Sequence, residues 1–216
     1  MNIKIENVTK TIKGKRIIDH VDMMLYSGMV YGLAGEHGSG KTMLMRLIAG
    51  LIYPTEGTVT VDHMILGTDI SFPKRMGFLI EKPVFLDSYS GKENLQFLTS
   101  VWNQISDQQI DAVMEKVGLE PDFGKKYREY SPEMKQRLGI AAAIMEEPEL
   151  LLLDEPATTF DASGFHMLKQ IVREQKEKGA LILVSGCDVK MLRELSDVIY
   201  EVYDGKIRRI ERRSTV

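Results

Sequence analysis

The 216-residue chain has a single cysteine, Cys187, so no intrachain disulfide can brace it and the cytosol is the expected compartment. No apolar run approaches the roughly 20 residues that cross a bilayer. The first residues, Lys4 and Glu6 among them, lack the apolar core of a signal peptide. A membrane role therefore runs through a partner. The net charge of −3 gives no general attraction to nucleic acid or anionic lipid. The local exception is Lys206, Arg208, Arg209, Arg212 and Arg213; a solvated, partly frayed tail accounts for them, and a contact with lipid headgroups or a partner is the sharper alternative. There is no internal repeat, no low-complexity linker, and no N-K-x-D motif of the kind that reads a guanine base.

What is present concentrates in two places. Gly35-Glu36-His37-Gly38-Ser39-Gly40-Lys41-Thr42 fits G-x-x-x-x-G-K-[ST] at every fixed position. Glycines let successive N–H groups converge on one anion, the helix that follows adds its positive end, Lys41 reaches the outer phosphates, and the Thr42 hydroxyl can sit on Mg²⁺. Upstream, Met29 to Ala34 reads as a short buried strand. Downstream, Met43, Leu44, Leu47 and Ile48 recur at helical spacing, and Gly50 is a plausible stop. The second place is Leu150-Leu151-Leu152-Leu153-Asp154-Glu155-Pro156. Alone it reads as a buried strand with a charged cap. Beside a phosphate loop, Asp154 is placed to hold Mg²⁺ and Glu155 to orient and deprotonate a water in line with the γ-phosphate.

The remaining pattern organises the chain. Residues 2–28 read as short strands ending in a Ser27-Gly28 turn, and 58–61 and 76–80 as further strands. From about 88 to 146 the pattern is helical: one segment from Asn94 to Val101 and Trp102, one from Ile110 to Val117 closed by Gly118, and one from Leu138 to Ile144. A charged helix at 162–178 stops at Gly179, Leu181 to Val184 is a buried strand, and Asp204-Gly205 closes a terminal hairpin. Buried strands alternating with helices predict an α/β fold with a mostly parallel sheet, and the helical block predicts an inserted lobe.

Over essentially residues 1–210 the chain resembles the ATP-binding subunits of ABC transporters. Gly35 to Thr42 matches the family's Walker A loop, and Leu150 to Glu155 its Walker B strand with the catalytic glutamate. Tyr130-Ser131-Pro132-Glu133-Met134-Lys135-Gln136-Arg137 stands where the family carries L-S-G-G-Q-x-Q-R. Ser131, Gln136 and Arg137 match, and Ser131 precedes Asp154 by the family's 23 residues. Asp161 falls at the D-loop aspartate. Gly77-Phe78-Leu79-Ile80-Glu81-Lys82-Pro83 looks most like the bacterial bacitracin, lantibiotic and drug-export branch.

The resemblance implies a P-loop NTPase core with an N-terminal antiparallel β-subdomain and an inserted α-helical lobe. Residues 1–216 then form a single domain, with 1–87 and 147–216 as the nucleotide-binding core and 88–146 as the signature lobe. It implies ATP and Mg²⁺ as cofactors, a second ATP-binding subunit, identical or not, and a polytopic permease that holds the chain at the inner face of the cell membrane; nucleic acid is not implied. Nucleotide contacts fall to Gly35, Glu36, His37, Gly38, Ser39, Gly40, Lys41, Thr42, Met43 and Ile12, metal contacts to Thr42, Asp154 and Glu81, catalysis to Glu155 and Lys41, and the dimer contact to Ser131, Pro132, Glu133 and Asp161. After Glu81, the aromatics and apolar residues Pro83, Val84, Phe85, Leu86, Tyr89, Phe97 and Trp102 divide between lobe core and a groove for the permease.

Four departures from the family pattern bear on mechanism. Glu133 replaces a glycine whose N–H approaches the γ-phosphate; a carboxylate about 4–5 Å from phosphate costs on the order of 1 kcal/mol, unless it points to solvent. Pro132 removes a backbone donor. The switch histidine is Cys187, a weak, mostly neutral donor, and the loss of one charge-assisted hydrogen bond slows hydrolysis about ten- to a hundredfold. By residue type Cys187 reads as a small buried apolar side chain at a strand end. The Q-loop glutamine is Glu81, which can still ligate Mg²⁺, and the adenine-stacking aromatic is Ile12; Tyr26 and Tyr31 read as core. Slow hydrolysis in an exporter is the reading that follows. A degenerate, regulatory partner in an asymmetric dimer is the alternative, ahead of a translation or DNA-repair ATPase.

Overall fold

The computed structural model describes residues 1–100 and 105–212. Its elements run β1 (Asn2–Ile12), β2 (Lys15–Tyr26), β3 (Val30–Ala34), α1 (Lys41–Ile48), β4 (Glu56–Val61), β5 (Met64–Ile65), β6 (Met76–Leu79), α2 (Gly91–Thr99), α3 (Asp107–Lys116), α4 (Pro132–Ile144), β7 (Leu150–Leu153), α5 (Ala162–Glu177), β8 (Leu181–Gly186), α6 (Val189–Leu195), β9 (Val198–Tyr203) and β10 (Lys206–Arg212). Val101 and Trp102 lie outside the described residues.

Two sheets form the frame. The first is antiparallel, in the order β2-β1-β4-β5. The second, β10-β9-β3-β8-β7-β6, is parallel except for the β9–β10 hairpin. This is the expected α/β architecture, a mostly parallel sheet joined by an antiparallel one. β1 and β2 are long strands rather than several short ones. Register shifts between Ile5 and Val8 and between Val8 and Lys10, with Asn7 and His20 at φ 48° and 51°, break the two-residue alternation that marks a strand in sequence.

Four consecutive leucines make β7 because the parallel sheet is covered on both faces. Leu150 and Leu152 point into a core shared with the antiparallel sheet and α1, while Leu151 and Leu153 point into the core under the other helices. Each is fully buried, a contribution of roughly 1.5–3 kcal/mol per side chain. β8 repeats the alternation, with Leu181 and Leu183 on one side and Ile182 and Val184 on the other.

The helix ends follow local chemistry. Ser90 with Glu93 and Ser106 with Gln109 form capping boxes at the starts of α2 and α3, Asp161 caps α5, and Gly179 at φ 89° lies just past its end. The hairpin at Asp204-Gly205 has φ of 48° and 73°, and the backbone through Arg212 continues as β10 instead of fraying, while Arg213 lies outside the described residues. Tyr31 is buried as expected. Tyr26 is half exposed, because strand alternation turns it outward while its N–H donates to the Tyr31 hydroxyl.

Candidate functional site

The phosphate loop connects β3 to α1. Gly38 and Gly40 sit at φ 81° and 115°, and a Cβ on Gly40 would stand 3.1 Å from the Ile17 carbonyl, so the curl needs glycine at that position. Lys41 opens α1 and is 4 % exposed. Its ammonium donates to the carbonyls of Gly35 (2.7 Å) and Glu36 (2.8 Å) and lies 3.5 Å from Glu155 Oε1. The buried Ser39 hydroxyl has no hydrogen-bond partner among the described residues.

The end of β7 supplies the carboxylates. Thr42 Oγ1 donates to Asp154 Oδ2 at 2.6 Å. Those hard oxygen donors, on a nearly buried Asp154, suit Mg²⁺. Glu155 follows at φ 47°, a left-handed conformation uncommon for a non-glycine residue, and strain of this kind gathers at functional sites. It turns the carboxylate out of the sheet toward the loop, where Oε1 lies 3.3 Å from His37 Nδ1 and 3.7 Å from Cys187 Sγ.

Ser185, in β8, is the residue the sequence did not offer. It is fully buried. Its hydroxyl donates to Asp154 Oδ1 (2.5 Å) and accepts the Glu155 N–H (2.9 Å), so one side chain holds the Asp154 carboxylate and the Glu155 backbone. In the sequence Ser185 is only a polar residue at the end of an apolar strand, with no spacing that ties it to a carboxylate.

Two cavities meet at this point, about 260 Å³ and about 530 Å³ in volume. The smaller is lined by Lys41, Thr42, Met43, Arg46, Glu81 and Ile17. The larger includes Asp161, Phe160, Ser185 and Cys187. His37 and Glu155 line both. Ile17 contacts the smaller cavity, whereas Ile12, at the exposed end of β1, is not among its lining residues. Glu81, also left-handed at φ 64°, pairs with Arg46 at 2.6 Å; it lines the same cavity as Thr42 but, among the described residues, has no hydrogen bond to Thr42 or Asp154. Met43 stands in the first turn of α1 with part of its side chain on the core.

Cys187 is exposed just beyond β8, not buried at its end. Desolvation pushes its thiol above the usual value; the Lys41 charge opposes this and Glu155 adds to it. The group is therefore neutral near pH 7.

The signature segment lies at the start of α4. Ser131 caps the helix, its Oγ accepting from Met134 N at 3.2 Å. Pro132 is the first helical residue, where the N–H has no intrahelical partner, so its missing donor costs the helix nothing. Glu133 is held by Arg137 through two bonds of 2.9 and 2.7 Å, and the same guanidinium donates to the Val117 carbonyl. Its charge is thus compensated within the helix. Gln136, buried, donates to the Pro156 carbonyl and ties α4 to the Walker B turn. The Asp161 carboxylate accepts the Gly164 N–H as the cap of α5.

Comparison with known proteins agrees with this geometry. A family profile described as ABC transporter matches residues 18–158. The uncharacterized ABC transporter ATP-binding protein YybJ of Bacillus subtilis (strain 168) is 39% identical over 97% of this chain and 96% of its own length. The bacitracin transport ATP-binding protein BcrA of Enterococcus faecalis is 35% identical over 95% of this chain and 67% of its own. The lantibiotic transport ATP-binding protein SrtF of Streptococcus pyogenes is 32% identical over 95% and 88%. Among solved structures, a dimeric ATP-binding cassette in a post-hydrolysis state with ADP and Pi superposes with a TM-score of 0.89 over 99% of this chain and all of that one, at 22% identity, a likeness of fold.

Proposed function

The chain belongs to the ATP-binding proteins of ABC transporters and is related to those of bacitracin and lantibiotic transport; from that premise we propose that it binds and slowly hydrolyses ATP as half of an ATP-dependent dimer, and so powers export of a drug, peptide or related substrate through a separate permease at the inner face of the membrane. One observation carries the reading. Lys41 and Thr42 from α1, Asp154 and Glu155 from the turn after β7 and Ser185 from β8 are joined by hydrogen bonds and an ion pair where the two cavities meet behind a glycine loop. Thr42 and Asp154 would hold Mg²⁺, which would neutralise phosphate charge; Glu81 becomes a third ligand if it exchanges Arg46 for the metal. Lys41 would trade its loop carbonyls for phosphate oxygens, and Glu155 would take the proton of the attacking water.

Residues 88–146 are read as the lobe that reaches the permease. Phe78, Val84, Phe85 and Leu98 line an apolar groove of about 440 Å³ at its edge, and Val84 is 88 % exposed. Ser131 and Asp161 would face the partner subunit's nucleotide, with Glu133 kept from its phosphate by Arg137.

Removing the lysine tests the binding step. Lys41→Ala is expected to weaken MgATP binding at least tenfold in a fluorescent-nucleotide titration, through loss of a charged contact worth about 1.5–3 kcal/mol. A native chain that takes up no nucleotide at millimolar concentration sinks the proposal.

The slow step is assigned to Cys187. Its thiol contacts Glu155 at 3.7 Å, a long and weak bond. Cys187→His is expected to raise kcat about tenfold in a phosphate-release assay. A chain idle in every pairing, with Cys187→His equally idle, favours the regulatory-partner reading that the same thiol motivates.

A further inference from the structure

We propose that His37, Glu155 and Cys187 form a binding site for a borderline-soft divalent cation, Zn²⁺ foremost, separate from the hard-oxygen pair Thr42–Asp154. The three residues come from three segments: the phosphate loop, the turn after β7 and the turn after β8. Each brings a different donor, an imidazole nitrogen, a carboxylate oxygen and a sulfur. One such atom from each lies within 4.8 Å of the others.

The spacing fits an ion. Bonds of about 2.0–2.1 Å to nitrogen, 2.0–2.2 Å to oxygen and 2.3 Å to sulfur, arranged tetrahedrally, place neighbouring ligand atoms about 3.3–3.7 Å apart. The observed edges from Glu155 Oε1 are 3.3 Å to His37 Nδ1 and 3.7 Å to Cys187 Sγ. The third edge, between His37 and Cys187, is within 4.8 Å, so closing on an ion asks a side-chain movement of up to about 1 Å from the exposed imidazole. The donor set discriminates: Mg²⁺ and Ca²⁺ take oxygens, whereas imidazole with thiolate selects Zn²⁺ or Co²⁺.

Two anchors hold the ligands in place. The Glu155 N–H is bonded to the buried Ser185 hydroxyl, and β8, which leads into Cys187, is buried along its whole length. His37 is 80 % exposed on its side chain, so an ion can enter from solvent, and a water can complete the fourth position. Lys41 lies 3.5 Å from Oε1 and is the adverse charge. Its ammonium is already bonded to two carbonyls, and a thiolate and a carboxylate together cancel the charge of a divalent ion. On binding, the thiol proton leaves to solvent and sulfur donates an electron pair to the metal.

The consequence is inhibition. The ion takes the Glu155 oxygen that faces His37 and Cys187, leaving that carboxylate unable to accept a proton from water. The part of this inference concerning inhibition rests on the proposed role of Glu155; the metal site does not.

The test is a Co²⁺ titration of the nucleotide-free full chain, read by absorption, followed by Zn²⁺ displacement. One Co²⁺ per chain is expected, with the intense visible bands of tetrahedral coordination and a near-ultraviolet thiolate-to-cobalt charge-transfer band. Cys187→Ser should remove the charge-transfer band, and His37→Asn, which keeps the thiol, should weaken affinity at least tenfold. Both side chains are exposed, and unchanged melting curves establish that the variants fold. Weak octahedral bands, or native affinity in His37→Asn, overturn the site. Equimolar Zn²⁺ should lower phosphate release at least tenfold in the native chain, reversed by a chelator. Tetrahedral cobalt with no change in hydrolysis would keep the site and refute the inhibition, and a chain without any hydrolysis would fail the functional proposal while the cobalt spectrum still decides the metal.

Discussion

Glu155→Gln is expected to reduce ATP hydrolysis at least a hundredfold while leaving nucleotide binding in place. The amide has nearly the shape of the carboxylate and can keep its seat in the turn, whose N–H is bonded to Ser185 rather than to its own side chain. It cannot accept a proton at neutral pH. A positioned general base contributes about 10²–10⁴ in rate, or roughly 2.7–5.5 kcal/mol of barrier. The loss also removes the negative charge 3.5 Å from Lys41, which frees the ammonium for phosphate and is expected to tighten ATP binding. The variant should therefore accumulate as an ATP-bound dimer. Phosphate release measures the first effect, and light scattering behind size exclusion with MgATP measures the second. An unchanged hydrolysis rate in a folded variant would remove Glu155 from its assigned role.

What the sequence showed of this site follows the kind of constraint involved. The loop from Gly35 to Thr42 was legible because backbone curl, charge and hydroxyl must come at fixed spacing along one short segment. The pair Asp154–Glu155 was legible because a run of four leucines marks a doubly covered strand and ends abruptly in charge. Ser185 was not legible. It lies 31 positions from Asp154, and a lone serine at a strand end carries no spacing that ties it to a carboxylate. Glu133 was read against a phosphate because of its place in a motif. Its i,i+4 relation to Arg137, equally present in the chain, decides where the carboxylate lies in the single subunit. For Cys187, residue type suggested burial, since free cysteine is among the most buried side chains. Its position one residue past the last residue of β8 put it instead on the rim of the larger cavity. The fold was legible in class because alternation and helical spacing are local. The two N-terminal strands were misjudged in length because bulges interrupt the very alternation used to find them.

Gly77→Ala is expected to destabilise the chain by about 3 kcal/mol or more, an effect set by packing rather than by backbone freedom. Gly77 lies in β6 at an ordinary strand conformation, so glycine is not needed there for its φ. The constraint comes from α4. A Cβ on Gly77 would stand 1.7 Å from the Ala143 carbonyl oxygen, 2.8 Å from its carbon and 3.1 Å from Pro148 Cγ. The nearest atom is backbone and cannot rotate aside, so α4 must withdraw by on the order of 1–2 Å to restore ordinary contact. That withdrawal opens the core beneath Leu138 and Ile144, and it strains the Gln136–Pro156 bond that ties the helix to the turn after β7. For a chain of this size the loss corresponds to a melting temperature lower by roughly 6–12 °C. Gly124 supplies the control: a Cβ there would meet no atom within 4 Å and its φ is not positive, so Gly124→Ala should stay within about 0.5 kcal/mol of the native chain. Melting curves of the two variants side by side decide the matter. If both lie within about 2 °C of the native chain, a limit of about 1 kcal/mol, the close approach of β6 and α4 is not what holds α4 to the sheet.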